Sequence, residues 1–243
     1  MNGIENLKQF QNGIIPADWL KRLNLNSLLD TMDEQTLPWR QEMANYQCAV
    51  YEVETKFKVL NERMGVKYDG NPIESIKTRV KSMDSIIRKV ERKGLPFSIE
   101  SVEENIRDIA GVRVICSFEE DVFRIADVFL QQDDIELVER KDYINHPKPN
   151  GYRSLHLIVE IPIFLHNEKR LMKVEVQLRT ISMDCWASLE HKIFYKKNVQ
   201  DAQRVEQELI ACAELAQQLD SRMERIYRET LGDQPASIDA ELG

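Results

Sequence analysis

In the segment IKTRVK (76–81) apolar and β-branched residues alternate strictly with cations: Ile76, Thr78 and Val80 point one way, and Lys77, Arg79 and Lys81 the other. A helix would scatter those charges around its axis, whereas a strand gathers them on one face. The same period of two returns in VRVICSF (112–118), where Val112, Val114, Cys116 and Phe118 oppose Arg113 and Ser117. It returns again in LMKVEVQLRT (171–180), where Met172, Val174, Val176 and Leu178 oppose Lys173, Glu175, Gln177 and Arg179. Further strands are predicted near 135–140 and over 155–161.

Steps of three and four mark the helices. Met43, Tyr46, Val50, Val53, Phe57, Leu60 and Met64 form a seam over 38–65, with Pro38 near its start and Gly65 at its end. A second seam runs through Val205, Leu209, Cys212, Ala216, Leu219, Met223 and Ile226. Burial within the subunit is the expected fate of most of each seam, because tertiary packing is the usual source of such periodicity. Between them, Ser82 reads as the N-cap of a helix that turns Met83, Ile86, Ile87 and Val90 inward and closes at Gly94 and Pro96. SVEENIRDIAG reads as a short helix capped by Ser101 and Glu104 and stopped by Gly111. A helix near 120–132 and two C-terminal helices complete the pattern.

This order predicts an α+β fold, a mixed β-sheet flanked by helices. Residues 1–35, with scattered large apolars around Pro16, read as a helical extension. Residues 36–230 read as the main domain, and 231–243 as a disordered tail.

Composition narrows the class. The chain of 243 residues has a net charge of −8, which argues against a general nucleic-acid coat, DNA binding or attachment to a membrane surface. Any basic site must be local. Four cysteines (Cys48, Cys116, Cys185, Cys212) stand far apart with no CxxC pair, and three occupy core-like positions. Reduced, buried thiols are expected, in a soluble cytoplasmic protein without a signal peptide.

The candidate chemistry lies on the charged strands. Polar alternation on one strand marks only solvent. Three strands sharing a sheet would instead line one cleft with Lys77, Arg79, Lys81, Arg113, Glu175, Gln177 and Arg179. Many cations and few carboxylates suit a polyphosphate carrying a divalent metal. Asp108 falls near the C-terminal end of its predicted helix, where the helix dipole disfavours an acid, so a neighbouring cation is expected. Asp108 and Glu175 together offer oxygen ligands for Mg²⁺, with phosphate oxygens and water filling the remaining sites.

The stretches TRVKSMDSIIRK, DIAGVRVICSF, PKPNGYRSLHLIVEIP and KVEVQLRTISMDCWASLEHKIFYK resemble the synthetase domain of the RelA/SpoT enzymes. They are most similar to the stand-alone small alarmone synthetases and, among these, to the RelP branch. The resemblance covers about residues 40–228 in ordered motifs. It implies a nucleotidyltransferase-like sheet and a GTP pyrophosphokinase of the stringent response. Such enzymes transfer the β,γ-pyrophosphate of ATP to the 3′-hydroxyl of GDP or GTP, making ppGpp or pppGpp and AMP. It also implies that Asp108 binds Mg²⁺ and that Glu175 is a metal ligand or the base for the 3′-hydroxyl. Arg79 and Arg113 would sandwich the adenine, with Lys81, Lys77, Ser85 and Lys89 completing the ATP site. Tyr152 would stack on guanine. His156, Lys148, Asn150 and Lys141 would hold the acceptor's phosphates or ribose, with Gln177 and Arg179 beside them.

Guanine needs an acceptor for its N1–H and N2–H₂ edge. Two readings of Asp184 stand side by side: that acceptor, or a partner of its own helix dipole. Trp186 reads as core. His191 and Glu190 lie in the matching segment. A homotetramer is implied by resemblance, and regulation by RNA or an alarmone is left open. No His–Asp pair marks a hydrolase centre, so synthesis without hydrolysis is expected. No GxxxxGK[ST] loop marks a P-loop kinase, and no Gly-Ser with a DxD pair marks a polynucleotide-type transferase. The alternative is a catalytically silent guanosine-nucleotide or RNA-binding regulator on the same fold.

Overall fold

The computed structural model describes residues 25–67, 71–195 and 201–231. The short helices expected around Pro16 and the tail beyond 231 lie outside the described residues. The chain divides into two compact units, residues 1–43 and 44–243.

Helix α1 (Leu25–Lys67) contains Pro38 and continues past Gly65, so both expected boundaries move outward. Strand β1 (Ile73–Val80) leads to α2 (Met83–Lys93), with Ser82 and Gly94 at its caps as predicted. Helix α3 spans Ile99–Asn105, followed by β2 (Ala110–Cys116), α4 (Glu119–Leu130) and β3 (Glu136–Asp142). Strands β4 (Leu155–Phe164) and β5 (Lys169–Thr180) then precede α5 (Ile181–Tyr195) and α6 (Ala202–Leu231).

The five strands form one mixed sheet in the order β1-β2-β5-β4-β3. Only the β2–β5 pair is parallel. Register places Val112, Val176 and Leu157 in one transverse row and Val114, Leu178 and Leu155 in the next, all buried. Helix α4 packs against β2 and β5, and its Phe129 stacks on Phe57 of α1 with centroids 4.4 Å apart. The first seam is thus buried through Tyr46, Val50, Val53 and Phe57.

The second seam corrects the expectation. Leu209 is buried, and with Trp186, Ala187 and Ala213 it joins α6 to α5. Beyond it Leu219, Met223 and Ile226 are each at least half exposed, and Leu215 beside them is 64% exposed. That part of α6 carries an apolar stripe on a face that neither the sheet nor α5 covers. The cysteine expectation fails for the same kind of reason: Cys116 is buried in β2, but Cys48, Cys185 and Cys212 are exposed. Each of the three sits on a helical face left uncovered.

The α3 prediction is also corrected. The cap is Ser98, whose hydroxyl accepts from the Ser101 amide at 3.2 Å, and the helix ends at Asn105. Asp108 therefore lies in the connection to β2, and no helix dipole acts on it from α3 in the way expected.

Candidate active site

The register of the sheet assembles the charged face. One transverse row runs Lys77, Arg113, Gln177, His156, Lys141, and the next runs Arg79, Gly111, Glu175, Ile158, Glu139. Side chains two residues apart on a strand share a face, so the two rows lie together. The three charged strands do share one face of the sheet, but the cleft on that face is lined from β3, β4, β5 and the loop between β3 and β4, and among the described residues no cation of β1 or β2 lines it. Glu139, which the sequence reading left out, lines this cleft and pairs with Lys141 at 3.1 Å.

At the β1–α2 end, Asp108 is clasped by two ammonium groups. Lys81 Nζ reaches Oδ2 at 2.6 Å and Lys89 Nζ reaches Oδ1 at 2.7 Å. The expected neighbouring cation is there twice over, although for a different reason than a helix end. Burial pushes the Asp108 pKa up, but the bonds and charges of the two lysines outweigh it and hold the carboxyl below its ordinary range. Ser85, one turn into α2, bonds the Ser82 hydroxyl at 2.9 Å and accepts from Arg88. Arg79 lies along Gly111 on the edge strand.

Glu175 lies near the middle of the face. Burial opposes its ionisation; the His156 imidazole, 3.3 Å from Oε1, and the Gln177 amide, 2.9 Å from Oε2, hold the pKa low nonetheless. Asp108 is among the charges acting on Glu175, in the direction that raises its pKa, so the two carboxylates share one electrostatic site. Both are oxygen donors held ionised, which fits Mg²⁺. That ion takes one or two carboxylates and completes its shell with phosphate and water. Among the described residues no group of three or more His, Cys, Asp or Glu side chains forms an all-protein metal cage. The site fits a metal brought in with a nucleotide.

The acceptor-side loop is built around Gly151. Its φ of +87° falls in the region that glycine tolerates, and a Cβ there would stand 2.6 Å from that of Ala213 on α6. The turn closes through Gly151 N–H donating to the Lys148 carbonyl at 2.8 Å. Asn150 Oδ1 accepts from the Tyr152 amide at 3.2 Å, and its Nδ2 donates to Glu190 at 3.4 Å. Asn150 thus shapes the loop. Tyr152 packs against the Trp186–Leu209 cluster, while Lys148 Nζ sits 4.7 Å from its ring centroid. Trp186 is core as read, and its indole N–H donates to the Leu209 carbonyl at 2.8 Å.

Tyr143 is a site residue that sequence reasoning missed. It faces His156 edge-on at 5.3 Å, lies 4.6 Å from Lys148 Nζ, and lines a cleft of about 220 Å³ with Lys141, Lys148, His156 and Glu175. Its signal was a second tyrosine just upstream of the loop, in KDYINHPKPNGY.

Two expected nucleotide contacts are placed differently. Asp184 Oδ2 is 2.7 Å from Lys77 Nζ, and its Oδ1 accepts from Arg113 at 3.1 Å and Arg179 at 3.4 Å. Burial opposes its ionisation, while the Lys77 bond and the Arg113 charge hold the pKa low. Its acceptor capacity is taken up by three cations, Lys77 of β1, Arg113 of β2 and Arg179 of β5. Arg179 is only 4% exposed, and its donors already reach Ser154, Asp184, Tyr152 and Gln177. It stands behind the site.

Among the described residues no helix is long and apolar enough to cross a membrane. Comparisons with known proteins identify the family and the fold. Residues 78–200 match the model described as a region found in RelA / SpoT proteins. The chain is 46% identical over 191 residues to GTP pyrophosphokinase YwaC of Bacillus subtilis, covering 79% of this chain and 91% of that protein. The crystal structure of small alarmone synthetase 2 from Bacillus subtilis superposes with a TM-score of 0.71 at 46% identity, over 79% of this chain and 98% of that one. The structure of small alarmone synthetase 1 from the same organism, bound to its product pppGpp, gives 0.72 at 33% identity over 79% and 97%. With a family model matching half of the chain and relatives this similar over most of its length, the chain belongs to the RelA/SpoT family.

Proposed function

We propose that the protein is a GTP pyrophosphokinase that moves the β,γ-pyrophosphate of ATP onto the ribose 3′-hydroxyl of GDP or GTP, releasing AMP. The observation that carries this reading is the pair Asp108 and Glu175, both held ionised on a face otherwise rich in cations. The 3′-oxygen attacks the β-phosphorus, the bond from that phosphorus to the α,β-bridging oxygen breaks, and AMP departs with the bridging oxygen. Glu175 accepts the 3′-hydroxyl proton. Transfer of this kind depends mainly on positioning and charge neutralisation. Asp108 and Glu175 would hold Mg²⁺, which would supply neutralisation of the charge on the transferring phosphates.

The donor side falls to β1, α2 and β2. Lys81 and Lys89, which clasp Asp108, turn to phosphate, with Lys77 and Ser85 nearby. Arg79 and Arg113 present guanidinium planes to adenine, which stack without requiring a particular hydrogen-bonding edge. Asp184 is the anchor of Lys77 and Arg113 in this reading. Asp184→Asn is expected to raise the KM for ATP about 3- to 10-fold and to change that for GDP less, as initial-rate measurements will show. A larger effect on GDP than on ATP would restore its assignment to the guanine edge.

The acceptor side falls to the Gly151 loop and the β3–β4 edge. Guanine takes the place over the Tyr152 ring where Lys148 sits, and Lys148, Lys141 and His156 face phosphate and ribose. An aromatic–base stack contributes about 1–3 kcal/mol. Tyr152→Ala is therefore expected to raise the KM for GDP by about 5- to 150-fold with a smaller effect on kcat.

The exposed stripe Leu215, Leu219, Met223 and Ile226 supports association of subunits, and we take the homotetramer implied by family resemblance as the working assembly. The cytoplasm, which supplies both nucleotides, is the compartment in this reading. The function is tested by incubating the protein with Mg²⁺, ATP and GDP and separating the nucleotides. Equal amounts of AMP and a guanosine tetraphosphate are expected. ADP in place of AMP would overturn the reading, and tight binding without any product would favour the silent regulator.

A further inference from the structure

Five side chains of the polar face close a ring of hydrogen bonds. Arg179 Nη2 donates to the Tyr152 hydroxyl and, at 2.9 Å, to Gln177 Oε1. The Tyr152 hydroxyl lies 2.8 Å from His156 Nε2, and His156 Nδ1 lies 3.3 Å from Glu175 Oε1. Gln177 Nε2 donates to Glu175 Oε2 at 2.9 Å. Two arms therefore connect Arg179 to Glu175, one through Tyr152 and His156 and the other through Gln177.

The ends of the ring fix the direction of every bond. A guanidinium has donors and no acceptor, and an ionised carboxylate has acceptors and no donor. At the carboxylate end, a neutral His156 must carry its proton on Nδ1, which leaves Nε2 as an acceptor. Tyr152, which already accepts from Arg179, then donates to Nε2. On the other arm, the carbonyl oxygen of Gln177 must face Arg179 and its amide must face Glu175. All the bonds run one way, from Arg179 to Glu175. The guanidinium is itself held by Ser154 Oγ at 3.3 Å on Nε and by Asp184 Oδ1 at 3.4 Å on Nη1. Lys148 above the Tyr152 ring and Lys141 at the cleft wall lie outside the ring and leave this order unchanged.

We propose that Arg179 is a positioning residue that touches no nucleotide: as the donor-only source of both arms it holds His156 as the Nδ1–H tautomer and fixes the Glu175 carboxylate from both sides. A buried hub of this kind keeps Glu175 from turning away from the 3′-hydroxyl and sets the ring of Tyr152 at the same time. The consequence for turnover rests on the role proposed for Glu175; the tautomer does not depend on it.

Nitrogen-15 NMR of the ligand-free protein tests the ring directly, at roughly pH 8.5 where ordinary imidazoles are neutral. His156 is identified by loss of its signals in His156→Gln. The expected result is a protonated Nδ1 and an unprotonated Nε2, and a protonated Nε2 would overturn the proposal whatever the enzyme does. Kinetics supply the second arm. Arg179→Gln introduces an acceptor, so kcat is expected to fall about 10-fold or more with the KM for GDP within about 3-fold, and Arg179→Lys, again donor-only, should recover part of the loss. A rise in the KM for GDP with kcat unchanged would show a nucleotide ligand instead. Should Arg179→Gln fail to fold, Tyr152→Phe cuts one arm while keeping the stacking ring. It should lower kcat several-fold with little change in the KM for GDP, and an unchanged kcat would contradict the proposal.

Discussion

Glu175→Gln is expected to lower kcat by about 10²- to 10⁴-fold, the range over which positioned acid–base groups act. The substitution preserves size and removes the ability to accept a proton. It also places an amide where two donors converge. In the wild type one carboxylate oxygen faces His156 Nδ1 and the other accepts from Gln177 Nε2 at 2.9 Å. A glutamine can satisfy only one of them, and Gln177 cannot turn freely because its own carbonyl accepts from Arg179. An unmet donor in this half-buried place costs about 1–3 kcal/mol. A lowered melting temperature should therefore accompany the loss of AMP release, while the KM for ATP changes little. Full activity in this variant would remove Glu175 from the chemistry and leave the pyrophosphate transfer itself to be tested separately.

Asp108→Asn should be the next most damaging change, with kcat lower by about 10²- to 10³-fold. Its signature differs. The carboxylate neutralises Lys81 and Lys89, at 2.6 and 2.7 Å. Without it two ammonium groups stand close together with no counter-charge, and a triphosphate is the anion best able to supply one. ATP binding should thus be retained or strengthened while turnover collapses and the Mg²⁺ concentration needed for half-maximal rate rises. Calorimetric titration with a non-hydrolysable ATP analogue, beside the Mg²⁺ dependence of the rate, separates these effects. Weakened ATP binding with a normal Mg²⁺ dependence would argue that Asp108 serves only to orient its lysines.

The charged strands were legible because alternation is a local property: Lys77 and Arg79, Arg113, and Glu175 and Gln177 announce their face within a few residues. That these faces adjoin depends on strand order, which the pattern alone leaves open and the β1-β2-β5 pairing supplies. The Asp108 environment was half read. A partner cation was expected, but from a helix end that proved to lie at Asn105, because Ser98 rather than Ser101 starts α3. Asp184 was beyond reach of local pattern, since Lys77 and Arg113 stand 107 and 71 positions away. Arg179 looked like another exposed cation by alternation; only the packing of Tyr152, Ser154 and α5 around it makes it a buried hub. The exposed cysteines and the α6 stripe share one cause. Helical period tells which residues share a face and is silent on what covers that face.

The central claim is that a pyrophosphate moves as a unit from ATP to a guanosine nucleotide. Its most direct test uses ATP labelled at the β-phosphate, with Mg²⁺, unlabelled GDP and the purified protein. The expected result is label in a guanosine tetraphosphate, carried on its 3′ side, with unlabelled AMP as the other product. Label recovered in ADP or in a polynucleotide would contradict it.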